Sequence, residues 1–155
     1  MWTVEYATHD DVASILSVQR SAFEENQRRY RFPLPQLRET EEDVARDLRE
    51  AVVLVARQGE EVIGAVRGRI DGEACEVYDL AVDPAYAHLA VGRSLMSRIE
   101  AEALGRGATR VRLRTGLRDA PAIDFYLKLG YRPTSVVRDD LTEYDQVEFV
   151  KELAE

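Results

Sequence analysis

The spacing of apolar residues changes in the middle of the chain, and this change limits the fold more than any other feature. EACEVYDLAV (residues 73–82) is strand-like, whereas Val91, Leu95, Ile99 and Ala103 recur at helical spacing. TRVRLRT (residues 109–115) then alternates again with a period of two. A helix between two adjacent strands is a crossover, and a crossover makes those strands parallel. The sequence therefore predicts a parallel pair inside the sheet.

The N-terminal third of the chain predicts a strand, a helix, a loop and a second helix. WTVEYA is the strand, and Thr8 caps a helix that runs to about Asn26. The prolines of RRYRFPLPQLRE (residues 28–39) lack backbone donors, so we expect a loop, and long loops are often functional. Thr40 with Asp43 resembles a capping box and starts a short second helix.

Further strands lie on both sides of the crossover. AVVLVAR and EVIGAVRGRI precede residues 73–82, and tight turns at Gly59 and Asp71-Gly72 join them in an antiparallel meander. After the crossover we expect one more helix, which closes at Gly130, and two strands, YRPTSVVRDD and YDQVEFVKE. The class is α/β with a mixed (α+β) sheet of about seven mostly antiparallel strands and about four helices.

The length of the chain indicates how many domains it forms, and its net charge disfavours some classes of partner. The 155 residues suit one domain, residues 1–155, and 29 acidic against 21 basic residues give a net charge of −8, which disfavours nucleic-acid binding. Arginines alternate with apolar residues between positions 106 and 118, as on a solvated strand face. No apolar run approaches the ~18 residues of a membrane span, and MWTVEYATHDD lacks a signal-peptide pattern, so we expect a cytoplasmic protein.

The cysteine and the histidines give no sign of a disulfide or of metal chemistry. Cys75 is the one cysteine and lies in a predicted strand, where a small buried side chain is expected. His9 and His88 are far apart and lack partners at ligand spacing, so we expect no metal.

The turn before the crossover helix is a candidate anion site. AYAHLAVGRSLM (residues 85–96) follows a strand and enters a helix, whose first N–H groups and positive dipole end attract anions. The turn has a single glycine, and most strand-to-helix turns bind nothing. Spacing alone therefore leaves two interpretations open, an ordinary surface helix and a phosphate cradle.

Downstream, LRTGLRDAPAIDFYLKLGYRP adds a more specific pattern, and with it the chain resembles the GNAT superfamily of N-acetyltransferases over nearly its whole length. The segment matches the family's fifth strand, the following helix and the LGY or LGF ending. EVYDLAVDPAY resembles the fourth strand and its loop. The resemblance implies a splayed parallel pair, acetyl-CoA as co-substrate, and direct acetyl transfer to a primary amine of a small molecule or peptide. A homodimer formed through a paired or exchanged C-terminal strand is a family-level expectation.

The resemblance also assigns residues to the cofactor. The signature turn corresponds to Ala87, His88, Leu89, Ala90, Val91, Gly92 and Arg93 around the pyrophosphate, and the pantetheine arm to Leu80, Ala81 and Val82. Ala87 stands where Gln or Arg is usual, and Ala90 where a glycine is usual. If residue 90 needs a left-handed backbone, alanine costs roughly 1–2 kcal/mol. We expect cofactor binding to be weakened and not abolished, since the remaining donors belong to the main chain.

Three side chains have both a functional and a structural interpretation. Tyr126 corresponds to the family's tyrosine that protonates the leaving thiolate, or it is a core aromatic. Glu76 is the first choice of general base, with Asp79 the second, or it is a solvated strand residue. Asp119 lies near the cofactor arm, or it simply caps a helix.

The departures at Ala87 and Ala90 keep a second function open. A non-catalytic module of the same fold, which senses an acyl-CoA or binds a protein partner, would tolerate a degraded phosphate turn. Gly92, Tyr126 and the LGY segment favour the enzyme.

Overall fold

One mixed sheet forms the centre of the computed structural model, which describes residues 1–87 and 90–153. The sheet order is β1-β2-β3-β4-β5-β7-β6. The pair β4–β5 is parallel and the other neighbouring pairs are antiparallel, so the predicted mixed sheet with its parallel central pair is confirmed. The strands are Thr3–Tyr6 (β1), Val52–Gln58 (β2), Glu61–Asp71 (β3), Ala74–Val82 (β4), Arg110–Gly116 (β5), Arg132–Val137 (β6) and Gln146–Glu152 (β7).

Helices cover both faces of the sheet. Among the described residues they are Val12–Gln27 (α1), Pro35–Arg38 (α2), Glu41–Glu50 (α3), Val91–Gly105 (α4) and Ala120–Lys128 (α5). The predicted loop over residues 28–39 contains α2, a single turn with proline at its first position, where the missing N–H is harmless. Within residues 1–87 and 90–153, no helix has the length and apolar character needed to cross a membrane.

The core is divided by the sheet into two apolar clusters. On one face α4 and α5 pack against the strands, and the predicted stripe of α4 is buried, from Val91 to Ala103. On the other face α1 and α3 contribute Ile15, Leu16 and Val44. Cys75 is buried as predicted, and burial raises the pKa of its thiol to about 11, so the thiol stays protonated and unreactive at neutral pH.

The parallel pair separates early. Pairing joins Ala74–Val77 to Arg110–Leu113, and the described part of the chain contains no β4–β5 pair beyond it. On the other side of β4, a register shift against β3 leaves Asp79 and Leu80 opposite a single residue, which is a β-bulge. Asp79 adopts a left-handed backbone with φ 54°, a conformation that aspartate tolerates better than most residues. The bulge lies where β4 and β5 part.

Ile99 and Leu104, two aliphatic side chains of similar size on α4, test this description of the core. Ile99 is 1% exposed and Leu104 is 45% exposed. We expect Ile99→Ala to lower the free energy of unfolding by about 2–5 kcal/mol, because it leaves a cavity against the sheet. Leu104→Ala should change it by no more than about 0.5 kcal/mol. Urea denaturation measures both, and equal losses would contradict the assignment of the buried face.

Candidate active site

An open cleft of about 510 Å³ lies at the C-terminal end of β4, between α1, α5 and the start of α4. It gathers most of the residues that the sequence assigned to a cofactor. Its walls include Leu80, Ala81, Val82, Ala87, Ala90, Gly92, Arg93 and Asp119. The remaining lining residues are Ala22, Phe23 and Asn26 of α1 and Phe125 of α5. His88 and Leu89 lie outside the described residues.

The start of α4 forms one wall of this cleft. The first helical hydrogen bond runs from Ser94 N to Ala90 O at 3.0 Å. The N–H groups of Val91, Gly92 and Arg93 therefore have no carbonyl partner within the helix. Val91 is buried in the core, so it can contribute only its backbone, whereas the Arg93 side chain is exposed and adds positive charge. Together they form a site suited to a phosphate group.

The unusual alanines sit in ordinary backbone conformations. Ala90 has φ −81° and Ala87 has φ −65°, so neither residue is left-handed and the strain considered for position 90 does not arise. Gly92 does have a steric role, because a Cβ there would lie 3.3 Å from Phe125 Cζ. The glycine lets the Phe125 ring pack against the first turn of α4.

The β4 edge offers free backbone groups to the cleft. Ala81 pairs with Ala65, and Val82 pairs with Gly64, both on the β3 side. On the opposite side β5 has already separated. An extended ligand can therefore pair with this edge as an additional strand would.

A smaller chamber of about 140 Å³ adjoins the cleft and is lined by residues of both β4 and β5. The two cavities share wall residues, namely Phe23, Asn26, Leu80, Asp119 and Phe125. Polar side chains line the chamber, among them Tyr78, Asp79, Thr115, Tyr126 and Tyr144. Gln36 of α2 also contributes to the wall, so the segment predicted as a loop reaches the site.

Asp79 is the buried carboxylate of the chamber. Its side chain is 11% exposed, and its Oδ2 forms an ion pair with Arg67 Nη2 at 3.0 Å. Burial raises the pKa of Asp79 to about 8, and the neighbouring carboxylates Glu39 and Asp47 add to the rise against the opposing effect of Arg67. A carboxyl group with such a pKa holds a proton at neutral pH, and its ionised form, which predominates above about pH 8, can accept one.

Tyr126 is both a core aromatic and a chamber wall. Its ring packs edge-on against Phe125 and Tyr131, with centroids 5.2 and 5.8 Å away. Burial raises the pKa of Tyr126 above the ordinary value of a phenol, so the hydroxyl stays protonated and available as a donor. The two interpretations from the sequence are compatible.

Asp119 likewise has both of its predicted features. Its Oδ1 accepts from Ala122 N at 3.2 Å and caps α5, while the residue lines the cleft and the chamber. Glu76 is elsewhere. It lies in the paired part of β4, opposite Arg69 of β3 and Arg112 of β5, and it belongs to neither cavity wall. The structure therefore brings Asp79, and not Glu76, into the chamber with Tyr126.

Several wall residues had no signal in the sequence beyond the length of the loop that precedes α3. Phe23, Asn26 and Gln36 come from α1 and α2, and Tyr144 comes from the segment before β7. Their positions depend on contacts between distant parts of the chain. No group of three or more histidine, cysteine, aspartate or glutamate residues suited to a metal occurs in the part of the chain that the structure describes.

The raised pKa of Asp79 predicts how stability depends on pH. The folded state holds a proton on this group up to about pH 8, whereas the unfolded chain releases it near pH 4. Between these values the folded state binds more protons, so the free energy of unfolding falls as pH rises, by up to about 1.4 kcal/mol per pH unit. Asp79→Asn should flatten this slope between pH 5 and 8 in urea titrations.

The exposed Asp124 supplies a matched control, because its carboxylate pairs only with Lys128 on the surface of α5. Asp124→Asn should keep the slope of the unsubstituted protein. Equal slopes for Asp79→Asn and the unsubstituted protein would show that Asp79 titrates as an ordinary carboxyl group.

Comparison with known proteins agrees with this geometry. Residues 13–131 match the model of the acetyltransferase (GNAT) family. An acetyltransferase of Sodalis glossinidius is 33% identical over 78 residues, covering 50% of this chain and 55% of that protein. One of Pectobacterium atrosepticum is 30% identical over 84 residues, covering 54% of this chain and 60% of its own length. The chain thus spans a little over half the length of these curated relatives.

Solved structures share the fold at low identity. The PaiA N-acetyltransferase from Thermoplasma acidophilum, in complex with coenzyme A, superposes with a TM-score of 0.83 at 16% identity, over 98% of this chain and 99% of that one. An aminoglycoside 6'-N-acetyltransferase complexed with coenzyme A gives 0.77 at 16% identity, over 99% and 98%. At this level of identity, the solved structures show only that the fold is shared. The family model covers residues 13–131, which is most of the chain. The protein therefore belongs to the GNAT acetyltransferase family.

Proposed function

We propose that the protein is an N-acetyltransferase that moves an acetyl group from acetyl-CoA to a primary amine of a small molecule or peptide. One observation carries the proposal. The cleft at the start of α4 shares wall residues with a chamber that holds a carboxyl group of raised pKa and a protonated phenol. An anion site, a strand edge, a base and an acid are the groups that amine acylation by a thioester requires.

The residues of the cleft fit coenzyme A. The backbone N–H groups of Val91–Arg93, with the Arg93 side chain, would bind the pyrophosphate, and the free edge of Leu80–Val82 would pair with the pantetheine amides. Coenzyme A in the structures of two proteins with the same fold supports this choice. When bound, the co-substrate supplies an activated acetyl thioester.

The chamber residues would move the protons. In its ionised form, which predominates above about pH 8, Asp79 would accept the proton that the amine loses as its nitrogen bonds to the acetyl carbon. Tyr126 would give its hydroxyl proton to the sulfur as the carbon–sulfur bond breaks, which avoids release of a bare thiolate. A free N–H of the β4 edge would donate to the acetyl oxygen as negative charge develops there.

Asp79 replaces Glu76 as our preferred base. Asp79 shares the chamber with Tyr126, whereas Glu76 lies in the paired part of β4. The assignment of Glu76 from the sequence stays a prediction, and the variants below separate the two carboxylates.

The size of the chamber limits how the acceptor enters. A cavity of ~150 Å³ holds about one benzene molecule, and the chamber is of similar size at about 140 Å³. Only the amino group and a few attached atoms would enter it beside the acetyl group. The rest of the acceptor would stay outside, near Gln36, Arg114 and Tyr144, which also line the surface groove beyond the chamber.

Amine-dependent thiol release from acetyl-CoA tests the proposal and the roles within it. With an acceptor found from an amine panel, Asp79→Asn should lower kcat/KM by about 100-fold or more, since it removes the base. Glu76→Gln should change kcat/KM far less. Tyr126→Phe should lower kcat, whereas Tyr131→Phe, which removes a buried phenol bonded to Glu100, is the matched control.

If Glu76→Gln is inactive and Asp79→Asn is active, Glu76 is the general base and Asp79 is not. Unchanged turnover of Tyr126→Phe across a pH series would remove the acid role from Tyr126.

A further inference from the structure

Arg67 of β3 is the largest fully buried side chain of the described residues. Its side chain is 1% exposed, and it lines neither the cleft nor the chamber. A buried guanidinium is costly unless carboxylates and other acceptors surround it. The contacts of Arg67 therefore indicate what role the buried charge has in the structure.

The guanidinium joins four separate segments at one point. Nη1 donates to Asp47 of α3 at 2.9 Å and to Glu39, between α2 and α3, at 3.1 Å. Nη2 donates to Glu39 at 3.0 Å and to Gln19 of α1 at 2.5 Å, and it pairs with Asp79 of β4 at 3.0 Å. One side chain on β3 thus holds the bulge of β4 and the segment that carries Gln36 into the chamber wall.

The charges around Arg67 do not balance. The carboxylates of Glu39, Asp47 and Asp79 outnumber the cations, Arg67 and Arg69, whose Nη2 is 3.0 Å from Asp47. Two uncharged phenols also lie near the cluster. The Tyr78 ring packs against both arginines, and Tyr126 lies across the chamber. One proton bound by the cluster would make it neutral.

Asp79 and Glu39 share the Nη2 group of Arg67, and they compete for its charge. Hydrogen bonds from the Asp79 carboxyl group, Arg67 and Gln19 outweigh burial and lower the pKa of Glu39, while that of Asp79 is raised. The proton of the cluster therefore resides on Asp79, the member that faces the chamber.

We propose that Arg67 is a positioning residue of the site: its shared ion pairs with Asp79 and Glu39 fix the Asp79 carboxyl group at the bulge and set its proton affinity. The role of Asp79 as a base rests on the proposed function. The control of Asp79 by Arg67 rests on the contacts alone, so the two can fail separately.

The test measures the titration of the Asp79 carboxyl carbon by NMR in the free protein, with its signal assigned by loss in Asp79→Asn. Arg67→Met removes the cation that favours the ionised form, so the midpoint of Asp79 should rise by about one pH unit or more. Glu39→Gln removes the competing carboxylate, so the midpoint should fall. Arg67→Lys keeps the charge and should raise the midpoint less than Arg67→Met.

Arg57 offers a control for a merely structural effect. It lies on β2 and pairs with the buried Asp11 at 3.0 Å, away from the chamber. Arg57→Met should destabilise the fold while leaving the Asp79 midpoint in place. Equal midpoints in all variants, shifts of the same sign in Arg67→Met and Glu39→Gln, or an equal shift in Arg57→Met would each overturn the proposal.

The measurement needs neither acetyl-CoA nor an amine. If Arg67→Met does not fold, the opposite shifts of Arg67→Lys and Glu39→Gln decide the question. If the midpoints shift as expected but Asp79→Asn retains turnover, Asp79 is not the base, and its positioning by Arg67 stands.

Discussion

The early end of pairing between β4 and β5 is the constraint on which the site depends. Pairing stops at Val77 and Leu113, and the bulge at Asp79 turns β4 away from its parallel neighbour. Because the connection between these strands is a crossover, the first turn of α4 follows β4 at the same end of the sheet. The β4 edge, the first turn of α4 and the chamber therefore meet at one place.

The buried charge of Arg67 connects the stability of the fold to its proposed chemistry. Well-packed apolar residues often replace a buried ion-pair cluster without loss of stability. Here Arg67 Nε is buried without a hydrogen-bond partner in the described part of the chain, so the cluster is not fully compensated. A cluster that is not fully compensated adds little to stability, so we infer a role for it beyond packing. A carboxyl group with a raised pKa at the bulge is the property that such a cluster confers.

Local sequence patterns predicted most of the fold but only part of the site. The stripe from Val91 to Ala103 and the crossover are local features, and they predicted the parallel pair. The cleft residues Leu80–Val82 and Gly92 came from the resemblance to the GNAT superfamily. The bulge at Asp79 depends on register between β3 and β4, which spacing within one strand does not reveal. The Arg67 contacts likewise join segments up to 48 residues apart. The conformation of Ala90 shows that a missing glycine does not itself imply strain.

Calorimetric titration of the protein with acetyl-CoA, and separately with CoA, tests the central claim most directly, because binding precedes every proposed chemical step. If the start of α4 and the β4 edge form a coenzyme A site despite alanine at positions 87 and 90, both ligands should bind with micromolar affinity. Absence of binding at millimolar concentrations of either ligand would contradict the account. The protein would then be a non-catalytic member of its family.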